Sequence, residues 1–362
     1  MAESELKKLK TTLEEKIKNS SSVFLIGHNS PDFDSIGACV GLYTIARELG
    51  KRAYIIVDDE ESKIESGIKR MMDEHKKQFR FITKKELPRF KNSKSLLIVA
   101  DTNKKHMISV EELLNDFQNI IVIDHHNIDA NTIATDDIFV YPEISSASEI
   151  VARVLNLLKI KYSEAVANFL LAGISLDTKR FKQNTTSRTH DVAEKLIDNG
   201  ASVDYVNNLF LEEFETYCRI SNFIINGTLI QKYSNSLAPI QVSFTLNRNA
   251  PHEVYIKEDF AKAADRMMKF NGIDASFALG YVDDETIHIS ARGGKKVNVG
   301  KIMESVHGGG NAQSAGGTVK GTDILEVEKE LMRNVNIGLS DEESIIDRPL
   351  IIKAKQIVKE KR

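Results

Sequence analysis

The 362 residues, with 41% hydrophobic residues and a formal net charge of -3, describe a globular chain too long for one typical domain, so two are expected. Acids and bases are interspersed, which argues against the strong basic excess of a protein that coats long nucleic acid. Only two cysteines, Cys39 and Cys218, are present, so a disulfide framework or thiolate zinc cage is excluded and a reducing cytoplasm is expected.

In chain order, residues 3–18 read as a helix, because Leu6, Leu9, Leu13 and Ile17 recur at three- and four-residue spacing between Lys and Glu. It is either a packed leading helix or a connector to an upstream module or a dimer contact. No secretory signal is expected, since this N-terminus is charged and helical. Strands follow at Val23–Ile26, Arg52–Val57, Leu96–Val99 and Ile120–Ile123, with helices at 35–49 (ended by Gly50) and 64–74. Two further helices are expected at 147–158 and 163–176. The apolar run from Phe169 to Leu176 is far shorter than the roughly 20 residues that span a bilayer. Alternating strands and helices imply βαβ units and a parallel sheet.

From 187 to 225 the pattern is mostly helical. A second pattern begins near Thr228, with strands at 240–246, 275–281 and 286–291, helices at 259–270 and 297–305, a Gly-rich loop, and a helix from Asp323. A polar hairpin turn is expected at Asp283-Asp284-Glu285. The expected division is an N-terminal helix (1–20), a parallel-sheet α/β catalytic domain (21–200), a helical linker (201–230), a smaller α/β substrate domain (231–340) and a charged, peripheral tail (341–362).

Two stretches carry the chemistry. Gly27-His28-Asn29-Ser30-Pro31-Asp32-Phe33-Asp34-Ser35 and Ile121-Val122-Ile123-Asp124-His125-His126 each follow a β-branched apolar run. Each is therefore expected at the C-terminal end of a strand, where an open parallel sheet binds its ligand. Asp101 ends the strand 96–99 in the same way, and an acid there is costly to bury unpaired. Asp177 closes the apolar run of the 163–176 helix. Asp34 and Asp177 also suit helix or turn caps, and Asp124 is placed to hold a histidine ring N–H behind a metal. An oxygen-rich set with some imidazole and no thiolate suits Mn²⁺, Mg²⁺ or Fe²⁺. So many acids suit two ions, which together can activate a water for in-line displacement at phosphorus.

His28-x-x-x-Asp32-x-Asp34, Asp101, Asp124-His125-His126 and Asp177 resemble, in order and spacing, the four motifs of the DHH phosphoesterase superfamily, over about residues 20–340. The resemblance implies that His28 and Asp32 bind one metal, Asp34 and His125 the other, that Asp101 and Asp177 serve the first metal or bridge both, and that His126 meets the scissile phosphate. A narrower likeness lies in Ser145-Ser146-Ala147-Ser148-Glu149-Ile150-Val151, in the run from Leu171 to Phe181, in Asn184–Thr189, and in Ile289-Ser290-Ala291-Arg292 with Asn298–Glu304. These resemble the GdpP-type cyclic-di-AMP phosphodiesterases.

That likeness implies a DHH-associated second domain whose contacts with substrate include Arg292, Gly308, Gly309, Gly310 and Asn311, with Ser148 from the first. Glycines permit close approach of backbone N–H groups to a nucleotide. Arg292 suits a phosphate or a surface salt bridge, and the glycines suit a nucleotide loop or a plain helix-connecting turn. Asn311 stands where the family usually has His, which leaves substrate identity less sharply drawn than the reaction. The resemblance implies a two-Mn²⁺ hydrolase, with Mg²⁺ or Fe²⁺ possible, that converts cyclic di-AMP to pApA. The alternatives are a nanoRNase on short oligonucleotides, an inorganic pyrophosphatase, or a nucleotide sensor with a dead site. A homodimer is expected, and since the family often carries upstream membrane or sensor modules, the chain is either a standalone cytosolic form or the catalytic portion of a longer protein.

Overall fold

The computed structural model describes residues 3–57, 64, 66–108, 112–225, 228–234, 239–247, 255–338 and 345–353. They form two compact units, Met1–Leu211 and Glu212–Arg362.

The first unit is organised by a parallel sheet. Its strands are β1 (Ser22–Ile26), β2 (Arg52–Val57), β3 (Phe81–Thr83), β4 (Leu96–Ala100), β5 (Asn119–Asp124) and β6 (Asp137–Val140), in the order β3-β2-β1-β4-β5-β6. Helices α1 (Glu3–Asn19), α2 (Phe33–Glu48), α3 (Ser66–His75), α4 (Glu112–Asn115), α5 (Ala147–Leu158), α6 (Glu164–Asp177), α7 (Ser187–Asp198) and α8 (Val203–Leu209) complete it. Strands β1 and β4 are neighbours, and the winding reverses between them. That reversal opens a crevice at their carboxyl ends.

Both faces of the sheet are covered, so the strands read as unbroken apolar runs. Val23 and Leu25 of β1 enter a large core with α2, α5 and α6. Phe24 and Ile26 enter a smaller core with Tyr54, Leu97 and Val122. The stripe Leu9, Leu13 and Ile17 of α1 is fully buried in the large core, so α1 packs as a leading helix of this unit.

The second unit holds α9 (Phe214–Ile225), β7 (Thr228–Ser234), β8 (Pro239–Asn247), α10 (Lys257–Met267), β9 (Ala275–Tyr281), β10 (Thr286–Gly293), α11 (Val299–Glu304), β11 (Gly309–Gly310), β12 (Ser314–Lys320), α12 (Ile324–Asn334) and β13 (Ile345–Lys353). Its sheet runs β11-β12-β10-β9-β8-β7-β13, with β8 and β9 parallel and the other pairs antiparallel. Phe277, Leu279, Ile287 and Ile289 pack on α11 and α12. Ala278 faces Ile220, Phe223 and Phe260 on the other side. Within the span 201–230, α8 buries Val206 and Leu209 in the first unit's core, whereas α9 buries Ile220 and Phe223 in the second's.

The expected peripheral tail is corrected in part. Ile345–Lys353 is the edge strand β13, and its register with β7 shifts between Ile346 and Leu350. Pro349 falls within that shift, as proline does at edges and bulges. Residues 341–344 and 354–362 of the expected tail lie outside the described residues. Among the described residues no helix is long and apolar enough to cross a membrane.

Candidate metal centre

The turn after β1 doubles back so tightly that a Cβ at Gly27 would lie 1.7 Å from Ser35 Oγ, so only glycine fits there. Asp32 is the N-cap of α2, and its Oδ1 accepts the N–H groups of Asp34 and Ser35, both at 2.9 Å. The cap role considered for Asp34 thus belongs to Asp32. The other oxygen of Asp32 lies 3.6 Å from His28 Nε2.

Asp101 follows β4 with φ 62°, a left-handed backbone that Asp tolerates better than most residues. Its Oδ2 lies 3.5 Å from His28 Nε2 and its Oδ1 3.3 Å from His125 Nε2. Asp34, in the first turn of α2, accepts Ala147 N–H and Ser148 N–H at 2.7 Å each, so the start of α5 holds both its oxygens. Its Oδ2 is 3.7 Å from His125 Nε2, and Asp177 Oδ2 is 3.1 Å from the same atom.

Two sets of donor atoms result, His28 with Asp32 and Asp101, and Asp34 with His125 and Asp177, each within 4.8 Å. Asp101 and His125 belong to a third such set with Asp124 and His126. Asp101 therefore stands between the first two. Asp177, expected with the first metal or bridging, sits instead with Asp34 and His125, because it ends α6 beside them.

The electrostatics fit cations. Burial, the largest influence on Asp34, raises its pKa well above the usual carboxylate value, and the charges of Asp101 and Asp177 push the same way. Asp177 is raised by burial first, and then by Asp101. Burial also opposes the charged forms of His28 and His125. The neighbouring carboxylates of Asp101 and Asp32 nevertheless lift His28 to about 10, and those of Asp101 and Asp177 lift His125 to about 11. Burial pushes Asp101 up as well, but His125 and His28 hold it well below the usual carboxylate range. Among the described residues, Asp101 Oδ1 and His125 Nε2 are buried polar atoms with no hydrogen-bond partner. Such atoms are costly unless a ligand meets them. The donor set thus fits divalent cations.

Asp124, expected to hold a histidine ring N–H from behind, lies against such a ring. Asp124 is fully buried. Its Oδ1 accepts from His125 N, His126 N and His126 Nδ1 at 2.7, 3.2 and 2.8 Å. Its Oδ2 accepts from Asn103 Nδ2 at 2.6 Å. The ring it holds is that of His126, not of His125. Ser148, expected to touch substrate, is corrected. It is fully buried, and its Oγ donates to the Asp34 carbonyl at 3.2 Å, so it supports Asp34.

A cavity of about 480 Å³ opens beside this cluster, lined by His125, His126, Ser145, Asp177, Asn184 and Thr185 among others. In the second unit, Arg292 donates to both oxygens of Asp265 at 2.8 and 3.2 Å. Gly308 is half-buried, and Gly309, Gly310 and Asn311 are exposed. Asn311 Oδ1 accepts the N–H groups of Gln313 and Ser314 at 2.9 and 2.8 Å, so its side chain closes its own turn.

Residues 22–174 match the DHH family, N-terminal domain, and residues 240–336 match the DHHA1 domain. The chain belongs to the DHH family. It is 34% identical over 334 residues to the cyclic-di-AMP phosphodiesterase GdpP of Bacillus subtilis (strain 168), covering 90% of this chain and 49% of the relative. It is 32% identical over 333 residues to the cyclic-di-AMP phosphodiesterase PdeA of Listeria monocytogenes, again covering 90% and 49%. The chain thus spans about half the length of these relatives. The fold is shared with the crystal structure of an exopolyphosphatase-related protein from Bacteroides fragilis, with TM-score 0.74 and 20% identity over 91% of this chain and 97% of that one.

Sequence reasoning missed Asn103 in this DHH unit. A lone Asn two residues past a strand-end acid was its only signal. It also gave Asn184 and Thr185 no role, although both line the cavity.

Proposed function

We propose that this chain is a metal-dependent phosphodiesterase that hydrolyses cyclic di-AMP to linear pApA. The observation that carries the reading is Asp101. One buried carboxylate faces two imidazoles, His28 and His125, each with its own flanking acids, at the sheet's topological switch point. The likeness to two proteins named as cyclic-di-AMP phosphodiesterases supports the substrate.

On this reading His28, Asp32 and Asp101 would hold one divalent cation, and Asp34, His125 and Asp177 a second, with Asp101 shared. Mn²⁺ is the proposed ion, and Mg²⁺ or Fe²⁺ suits the same donors. When bound, such ions supply a lowered water pKa and neutralise charge developing at phosphorus. His126 is 57% exposed, with Nδ1 held by Asp124, so its Nε2 is left to meet a phosphoryl oxygen or protonate the leaving 3′-oxygen. The Asp124 hydrogen bond raises the His126 pKa and so favours the proton-donating form. We assign Arg292, Gly308–Gly310 and Asn311 a substrate-binding rather than a chemical role. The unpaired Cys39 and Cys218 accord with a cytoplasmic setting.

The test is turnover of cyclic di-AMP, pApA, short linear RNA and pyrophosphate, side by side, by Mn²⁺-loaded protein. The reading expects pApA from cyclic di-AMP. Brisk degradation of short RNA with no pApA formed would replace it with the nanoRNase reading.

A further inference from the structure

We propose that Asn103 is a positioning residue that aims His126, acting through Asp124. Asn103 is fully buried on the loop after β4. Its single Nδ2 donates twice, to Asp124 Oδ2 at 2.6 Å and to the His126 carbonyl at 2.9 Å. One amide therefore grips both the carboxylate that orients the ring and the backbone that carries it. The amide is itself held, since Thr132 Oγ1 donates to Asn103 Oδ1 at 3.4 Å and Ile133 N donates to the Asn103 carbonyl at 2.8 Å.

Asp124 divides its oxygens in a way that makes Asn103 necessary. Oδ1 serves three N–H groups of the His125-His126 segment, and Oδ2 has Asn103. Without Asn103, a fully buried carboxylate oxygen would lose its donor. Leaving a buried acceptor unmet is unfavourable, and the carboxyl group relieves it by turning. Turning takes Oδ1 off His126 Nδ1. The ring is more than half exposed, and besides Asp124 it meets the His125 ring, with centroids 4.3 Å apart. A carboxylate oxygen accepts, so the 2.8 Å contact places the ring proton on Nδ1 and turns Nε2 outward. Asn103 is thus the far end of a three-residue relay, Asn103 to Asp124 to His126, that fixes tautomer and aim together.

The inference rests on the reading that His126 meets the phosphate, and the experiment separates the two. Asn103→Ala, and the similar-sized Asn103→Leu that removes both donors, should lower kcat on cyclic di-AMP about 10–100-fold, the usual cost of losing such an outer partner, with KM changed far less. In a His126→Ala background the same substitutions should cost almost nothing more, because the group they aim is gone. A loss of equal size in both backgrounds overturns the proposal and leaves Asn103 a purely structural residue. The second readout needs no turnover: ¹⁵N-resolved spectra of the His126 ring in the full chain, at alkaline pH where the neutral ring reports its tautomer. Wild type should carry the proton on Nδ1, and Asn103→Ala should lose that preference. A wild-type ring protonated on Nε2 refutes the relay even where the variants fail to fold. A wild-type protein that cleaves no phosphodiester refutes the proposed function, and the ring spectra still decide the relay.

Discussion

Replacing Asp101 by Asn tests the shared-carboxylate reading most directly. Asn is the right probe because Asp101 has φ 62°. Ala in a left-handed backbone would add about 1–2 kcal/mol of unrelated strain, whereas Asn visits that region readily. In the metal-free protein the change has opposed effects. The depressed Asp101 carboxyl contributes stability above its unfolded pKa near ~3.9 that is lost as pH falls through its lower folded value. Asn forfeits that contribution. In return Asp34 and Asp177, which the Asp101 charge pushes up, are relieved. The variant should therefore remain folded without metal. Metal binding should suffer far more. Outer partners of a ligand cost about 10–100-fold in affinity, so losing the shared charge should cost at least about 100-fold. At a Mn²⁺ concentration 100 times the wild-type Kd, linkage stabilises the wild type by about 2.7 kcal/mol and the variant by about 0.4 kcal/mol or less. For a unit of the size of Met1–Leu211, the wild-type gain is a rise in Tm of about 5–10 °C, against about 1 °C for the variant. Thermal melts with and without Mn²⁺, together with calorimetric titration, measure this. A variant that binds Mn²⁺ within about threefold of wild type, with the full Tm gain, would refute the assignment of Asp101.

Adding Mn²⁺ at pH 8 should release about two protons per chain, since His28 and His125, raised to about 10 and about 11, must deprotonate before they can ligate. Titration in buffers of different ionisation enthalpy counts them, and a count near zero contradicts the ligand set. The same raised values mean that the metal-free protein keeps its full histidine contribution below about pH 6.5 and loses it as pH climbs through 10 to 11, which melts across that range would show. Asp34→Ala should destabilise the metal-free protein by about 1–3 kcal/mol for each of the two N–H groups it strands, at Ala147 and Ser148. Asp177→Ala, which holds no such pair, should leave metal-free melts nearly unchanged while abolishing the second ion's binding. Gly173→Ala should cost about 1–3 kcal/mol and weaken metal binding together, because its Cβ would lie 2.2 Å from Ser148 Oγ and 2.8 Å from Asp34 Cα; unchanged metal affinity would show that Asp34 is not held from that side.

What was legible in the sequence follows from where the physics is local. Strands β1, β4 and β5 are covered on both faces, so each is an apolar run, and the polar residue that ends it marks the strand's mouth. His28, Asp101 and His125 stand out for that reason, and adjacent strands bring them together. The edge strands β3 and β6 are only three and four residues long, too short to show a period, and β12 carries Gly316 and Gly317 where a strand pattern would place larger residues. Asn103 and the true role of Ser148 were hidden because a side chain's hydrogen-bond partners lie far along the chain. The segment after Asp177 was hidden for a different reason. Lys179, Arg180 and Phe181 take φ of 47°, 60° and 59° in succession, a left-handed turn with no glycine to announce it. Each such residue costs about 1–2 kcal/mol locally, and the surroundings must hold it. Thr178 does so from both ends. Its Oγ1 donates to the Ile174 carbonyl at 2.6 Å and accepts Phe181 N–H at 2.9 Å, and its carbonyl accepts Lys182 N–H and Gln183 N–H. The reversal is what returns Asn184 and Thr185 to the cavity that His125, His126 and Asp177 also line. Strain of this kind persists where neighbouring contacts over-determine the backbone, and it gathers at sites of function. Here it sits directly after a proposed ligand and shapes the wall facing the proposed phosphate contact.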